Sequence, residues 1–339
     1  MDLATLQVIW FGLIAVLFTG YFVLEGFDFG VGMLLPILGR DERERRVMIN
    51  TIGPVWDGNE VWVLVAGGAM FAAFPEWYAT LFSGFYVPLL LILICLVVRA
   101  VAFEYRGKRD SARWRRGWLI SIIVCSTGPA VLWGVAFANI VAGVPLGPDH
   151  EYIGTLGDLL QPFALLGGLV TLSLFATHGA LFVALKTVGE IRTRARKLAG
   201  RTGVVAAVSL VALAVWYNLA HANTPLVWLP TAIAALALVG ALVANRRGRE
   251  GWAFTGTAVT IGATVATLFL GLFPDVMPAS NVAAHGLTIH NASATELTLS
   301  IMSIAALVAT PVVLAYQGWT YWVFRKRIGV QHLPAEQSA

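Results

Sequence analysis

Basic residues in this chain are confined to clusters separated by long apolar stretches, and that spacing constrains the fold more than any other feature. Of its 23 lysines and arginines, all but Arg99 fall within 40–46, 106–116, 186–201, 246–249 and 325–327. The apolar stretches between them match one or two helices of about 20 residues, the length that crosses a hydrocarbon layer about 30 Å thick. With 58% hydrophobic and 12% charged residues, and a mean hydropathy of +0.76, the chain cannot cover itself with a water-facing surface. The expected fold class is all-α, a polytopic membrane protein. Nine transmembrane helices are expected, at roughly 5–38, 47–73, 77–104, 116–142, 158–187, 203–221, 226–244, 252–273 and 296–324. The loops between the basic clusters hold no Lys or Arg. The positive-inside rule therefore sets the N-terminus outside and the C-terminus in the cytoplasm.

The start, MDLATLQVIW, lacks a basic leader and runs into a long apolar stretch, so it reads as an uncleaved first span. Cys95 and Cys125 both fall in apolar spans, as small core residues rather than a disulfide or metal site. The pI near 9.2 comes from the cytoplasmic clusters, which would lie against anionic lipid headgroups. Nucleic acid is excluded as a partner, since short turns between spans offer no element that reads a groove. Residues 1–339 read as a single integral membrane domain. A front half, about 1–190, holds the intramembrane charges; plain Ala, Val, Leu and Gly helices over about 200–325 read as scaffold; and 326–339 form a cytoplasmic tail.

Charge inside the front spans points to chemistry. Glu25 and Asp28 stand three residues apart in LEGFDFGVG, and Asp57 and Glu60 likewise in WDGNEVW. Positions three apart share a helix face. An ionised group in lipid costs several kcal/mol unless paired, hydrated or neutralised, so the few that occur there mark function. Two carboxylates this close in low dielectric cannot both ionise cheaply, and each pair is expected to hold a proton. Arg99 is the one intramembrane cation available to pair with them. Counting helical rise of about 1.5 Å per residue from the nearest cytoplasmic arginine puts Asp28 about 18 Å, Glu25 about 22 Å, Asp57 about 16 Å and Arg99 about 10 Å into the membrane. Glu104, at the cytoplasmic mouth, reads as an uptake group. The expected proton pathway is thus Asp57, Glu25, Asp28, Arg99, Glu60 and Glu104, with Asp57 and Glu25 ahead of Glu60 and Glu104. The structural alternative is that Arg99 pairs with one or two acids simply to lock the first spans together.

Haem in a membrane needs inward His or Met ligands at matched depth on neighbouring helices. Only His178, of six histidines, lies well inside a span. It reads as a hydrogen-bonded interior residue, and no metal site is expected in this chain.

At GFDFGVGML, RRVMINTIGPVWDGNEVWVLVAGGAMFAAFP, FSGFYVPLLLILICLVVRAVAFEYR, WGVAFANIVAGVP and HGA with LKTVGE after it, the chain resembles subunit II of the cytochrome bd-type quinol oxidases. The likeness runs through the first five spans and thins after residue 200. It implies two four-helix bundles plus one extra helix, in a heterodimer with a homologous haem-bearing subunit I, with or without small accessory subunits. It implies oxidation of quinol and reduction of dioxygen to water, with protons taken from the cytoplasm, in the cytoplasmic membrane of a bacterium. Two haems b and one haem d would be ligated by subunit I and none by this chain, which alone would not be catalytic. Some relatives hold a structural quinone in this subunit, and no motif here specifies one. By matching positions, the resemblance makes Asp57 a proton-pathway carboxylate near the subunit interface, with Glu25, Asp28 and Arg99 beside it. The competing class is a proton-coupled secondary transporter, for which the chain shows neither repeats nor paired broken helices.

Overall fold

The structure is a computed structural model that describes residues 1–333; residues 334–339 of the expected tail lie outside the described residues. Helices dominate. α1 (Leu3–Leu38) starts where Asp2 accepts the Thr5 N–H at 2.9 Å, and α2 (Glu42–Ile52) where Asp41 accepts that of Glu44 at 2.8 Å. Such side-chain caps satisfy N–H groups that have no partner within the helix. After them come α3 (Trp56–Ala73), α4 (Pro75–Gly84), α5 (Tyr86–Tyr105), α6 (Ala112–Ala142) and α7 (Pro162–Lys186). The chain continues through α8 (Gly189–Ala220), α9 (Trp228–Arg246), α10 (Glu250–Leu272) and α11 (Glu296–Val323).

Eight helices among the described residues are long and apolar enough to cross a membrane. The protein is a helical, multi-span membrane protein. The stretch expected as the second span, 47–73, is not one helix. It is divided at 53–55 into α2 and α3, where Pro54 has no N–H to continue the ladder. α3 has 18 residues, but Asp57, Asn59 and Glu60 at its start lower its hydropathy below that of the eight. The third expected span, 77–104, is also divided, into α4 and α5. There Pro88 cannot bond the Gly84 carbonyl four residues back. α8 extends through the basic cluster 192–201, where a loop was expected, so these arginines project from a helix.

α1, α3, α5 and α6 pack as one group and α7, α8, α9 and α10 as a second, with α11 leaning on α1 and α3. The groups meet where α1 crosses α7 at the closest approach that glycine allows. A Cβ on Gly30 would lie 2.7 Å from the Gly179 Cα, and one on Gly179 would lie 2.5 Å from the Gly30 Cα. Small residues let membrane helices gain dispersion contact that lipid cannot replace.

At the end away from the basic clusters two loops cap the helices. β1 (Asp275–Met277) pairs antiparallel with β2 (Leu287–Thr288), and Asn281 exchanges hydrogen bonds with both backbone groups of Leu146. His150 Nδ1 meets the His285 carbonyl at 2.7 Å. Asp158 accepts from the Thr155 N–H at 2.7 Å and from its hydroxyl at 2.9 Å. These bonds, the backbone one foremost, hold its carboxyl below the usual range. At the basic end, Glu250 is buried among Arg192, Arg196 and Arg327, and Arg194 ties α8 to Glu44 and to the Leu38 carbonyl.

Candidate functional site

The polar side chains of α1, α3, α5 and α11 meet inside the first helix group. Arg99, on α5, points one guanidinium nitrogen, Nη2, at both Glu25 of α1 and Glu60 of α3, the latter at 3.0 Å. The Arg99 and Glu25 side chains are fully buried, and Glu60 is 18% exposed. The guanidinium carbon sits 4.6 Å from the centre of the Phe29 ring and 5.8 Å from that of Phe103, whose faces favour a cation. Of the four acids in the first two spans, Arg99 thus pairs with Glu25 and Glu60.

Asp28, one turn beyond Glu25, is fully buried and does not touch Arg99 by a direct hydrogen bond. Its Oδ2 accepts from the Asn59 side-chain nitrogen at 2.7 Å. Asn59 is fully buried as well, and its oxygen accepts from the Tyr321 hydroxyl at 2.7 Å and from Gln317 Nε2 at 3.3 Å. Gln317 Oε1 accepts from the Trp62 indole at 2.9 Å. Asn59, Gln317, Tyr321 and Trp62 were absent from the sequence-derived set. The signal for Asn59 was its place between two acids in WDGNEVW; Gln317 and Tyr321 gave none. Because both belong to α11, the stretch expected as scaffold supplies part of this network.

Asp57 and Glu104 stand apart. Asp57 is exposed in the first turn of α3, and its Oδ1 accepts the N–H of its neighbour Gly58 at 2.7 Å. Its expected depth assumed one helix running on from Arg46, and the break at 53–55 removes that basis. Asp57 and Glu60 therefore do not act as a pair aimed at one neighbour: Glu60 turns to Arg99, Asp57 to its own backbone. Glu104 is exposed near the end of α5. Five residues along a helix is a rotation of about 140° from Arg99, which carries it off the cluster's face. The adjacent Arg106 is buried and pairs with Glu42 of α2 at 2.6 Å.

His178 is fully buried, and both ring nitrogens are engaged, Nδ1 with the Thr257 hydroxyl at 2.6 Å and Nε2 with the Val23 carbonyl at 3.1 Å. Its ring stacks on Phe254 at 4.3 Å between centroids. Among the described residues no three His, Cys, Asp or Glu side chains are grouped as a metal site. Both cysteines are free thiols.

Known proteins share this chain over nearly its whole length. It is 42% identical to the cytochrome bd ubiquinol oxidase subunit 2 of Bacillus subtilis (strain 168) over 330 residues, covering 96% of this chain and 98% of that one. It is 36% identical to the cytochrome bd-I ubiquinol oxidase subunit 2 of Escherichia coli (strain K12), covering 97% and 96%. The fold matches a chain from the structure of bd oxidase from Geobacillus thermodenitrificans with a TM-score of 0.79 at 16% identity, covering 94% of this chain and 98% of that one. The family model for cytochrome bd terminal oxidase subunit II matches residues 6–324, and the chain belongs to that family of respiratory oxidoreductase subunits.

Proposed function

We propose that this chain is the non-haem subunit of a quinol-oxidising, dioxygen-reducing complex, in which it supplies protons from the cytoplasm and stabilises a haem-bearing subunit I. One observation carries the reading. Three acids, Glu25, Asp28 and Glu60, share a buried site with a single cation, Arg99. Charge in such surroundings is costly and is kept where protons or ions move. A purely structural lock needs one or two acids for one arginine, and here Asp28 is a third, buried beside the pair without a direct bond to the arginine. The additional carboxyl is a group that can take up and release protons, and water can link it to the others.

Asp57 fits the same reading in a different place. It is an exposed acid in a helix whose neighbouring residues Val61, Leu64 and Val65 are also exposed. Lipid tails do not accommodate a carboxylate, so subunit I, or water held against it, covers this face, and Asp57 hands protons across the interface. The quinol, the dioxygen and the haems (two b, one d) belong to subunit I, and this chain ligates none of them. α3 serves as the ninth span despite its polar start. The N-terminus is outside, the basic ends face the cytoplasm, and the complex resides in the bacterial cytoplasmic membrane.

The test is Glu25→Gln and Asp28→Asn in the whole complex, with haem content and oxygen consumption measured on the same purified sample. Normal haem with turnover lowered at least tenfold supports proton supply. Full turnover in both variants defeats it.

A further inference from the structure

The hydrogen bonds around Asn59 have a fixed direction. An indole N–H only donates, so Gln317 must turn its oxygen to Trp62 and its nitrogen to the Asn59 oxygen. Asn59 then has only its nitrogen to offer Asp28 Oδ2, and the Tyr321 hydroxyl adds a second donor on the Asn59 oxygen. Amide groups have no titratable proton in this range. The chain from α11 to Asp28 therefore orients the carboxyl and does not conduct.

That orientation has a counterpart. One Asp28 oxygen is committed to Asn59, while the other, Oδ1, is buried without a hydrogen-bond partner among the described residues. Glu25 Oε2 and the Nε and Nη1 of Arg99 are in the same condition. These are two acceptors and two donors on side chains with 0% exposure, joined by the Arg99–Glu25 pair and by one turn of α1. Buried polar atoms are almost always satisfied, and where protein does not do so an ordered water making about three hydrogen bonds does.

We propose that Asn59, Gln317 and Tyr321 are positioning residues that hold Asp28 so that its Oδ1 shares a buried water site with Glu25 Oε2 and the Arg99 guanidinium. This rests on the proton-supply reading above and extends it, because it makes α11 a determinant of the rate of proton delivery although it contributes no group that carries the proton.

The experiment uses the whole complex with Tyr321→Phe, which keeps the ring and removes the hydroxyl, beside Asp28→Asn as reference. The expected Tyr321→Phe complex has normal haem content and an unchanged KM for quinol, with kcat lowered about three- to tenfold. It also shows a shifted carboxyl C=O stretch in infrared difference spectra, the band being identified by its loss in Asp28→Asn. Unchanged kcat with an unchanged band overturns the proposal. So does loss of the assembled complex in Tyr321→Phe, which would assign the contact to assembly. Full turnover in both Asp28→Asn and Glu25→Gln would defeat the proton-supply reading itself, whereas full turnover in Asp28→Asn alone, or arrest there with an unaltered Tyr321→Phe, defeats this inference alone.

Discussion

Asp28 and Asn59, 31 positions apart in the chain, are joined by a 2.7 Å hydrogen bond between two fully buried side chains. This bond fastens α1 to α3 at the level of the acids, one turn from the ion pair that fastens α1 to α5. The three helices are thus held together through the same acids that are proposed to carry protons, and substitutions there should separate holding from carrying.

Replacing Arg99 tests the holding. Arg99→Gln leaves Glu25 and Glu60 without their counter-charge in the interior, a loss of about 3–5 kcal/mol when one partner of a buried pair is removed. Assembled complex should fall sharply in detergent extracts, as read by size-exclusion chromatography. The combined variant Arg99→Leu with Glu25→Leu should recover part of it, because only the partly exposed Glu60 is then left without its counter-charge.

Asp57 tests the carrying. It makes no contact with Arg99, so Asp57→Asn should assemble with normal haem content. If it passes protons at the interface with subunit I, oxygen consumption should drop by at least tenfold, and Asp57→Glu should retain part of the rate. Normal rates in Asp57→Asn would remove it from the pathway.

The crossing of α1 and α7 gives a stability prediction independent of function. Gly30→Ala drives a methyl group into the backbone of α7, and overpacking of this kind costs about 1–3 kcal/mol, more where backbone must move. Thermal unfolding in detergent should show a clearly lowered midpoint. Gly67→Ala, where an added Cβ meets nothing within 4 Å, should leave the midpoint in place.

Orientation is open to direct measurement. Reporter fusions after Arg46, Arg116, Arg201 and Arg249 should all show cytoplasmic activity, and one after His285 should show the outside. A cytoplasmic signal after His285 would break the assignment of sides.

Much of the fold was legible because apolar length and basic clustering respond to the bilayer itself, which acts on every residue of a span alike. The breaks at 53–55 and at Phe85 were less visible, since hydropathy averages over the single prolines, Pro54 and Pro88, that cause them. In the site, Glu25, Asp28, Glu60 and Arg99 stood out because charge in an apolar run is conspicuous. Asn59, Gln317 and Tyr321 did not, because uncharged polar residues cost little in a span and signal nothing until a partner is seen. Asp57 and Glu60 show the limit of spacing arguments. Three residues put them near one face, but a helix that begins at Trp56 gives Asp57 a backbone N–H to bond and gives Glu60 an arginine.

α11 is the helix least embedded in its own chain, with Leu299 the one buried residue of its 28, yet Gln317 and Tyr321 on it hold the Asn59 side chain that donates to Asp28. It is also translated after every other helix of the site. During synthesis the acids of α1 and α3 are therefore in the membrane before the groups that orient Asp28 arrive, and the chain gains a fully ordered acid cluster only when its most weakly anchored helix has docked.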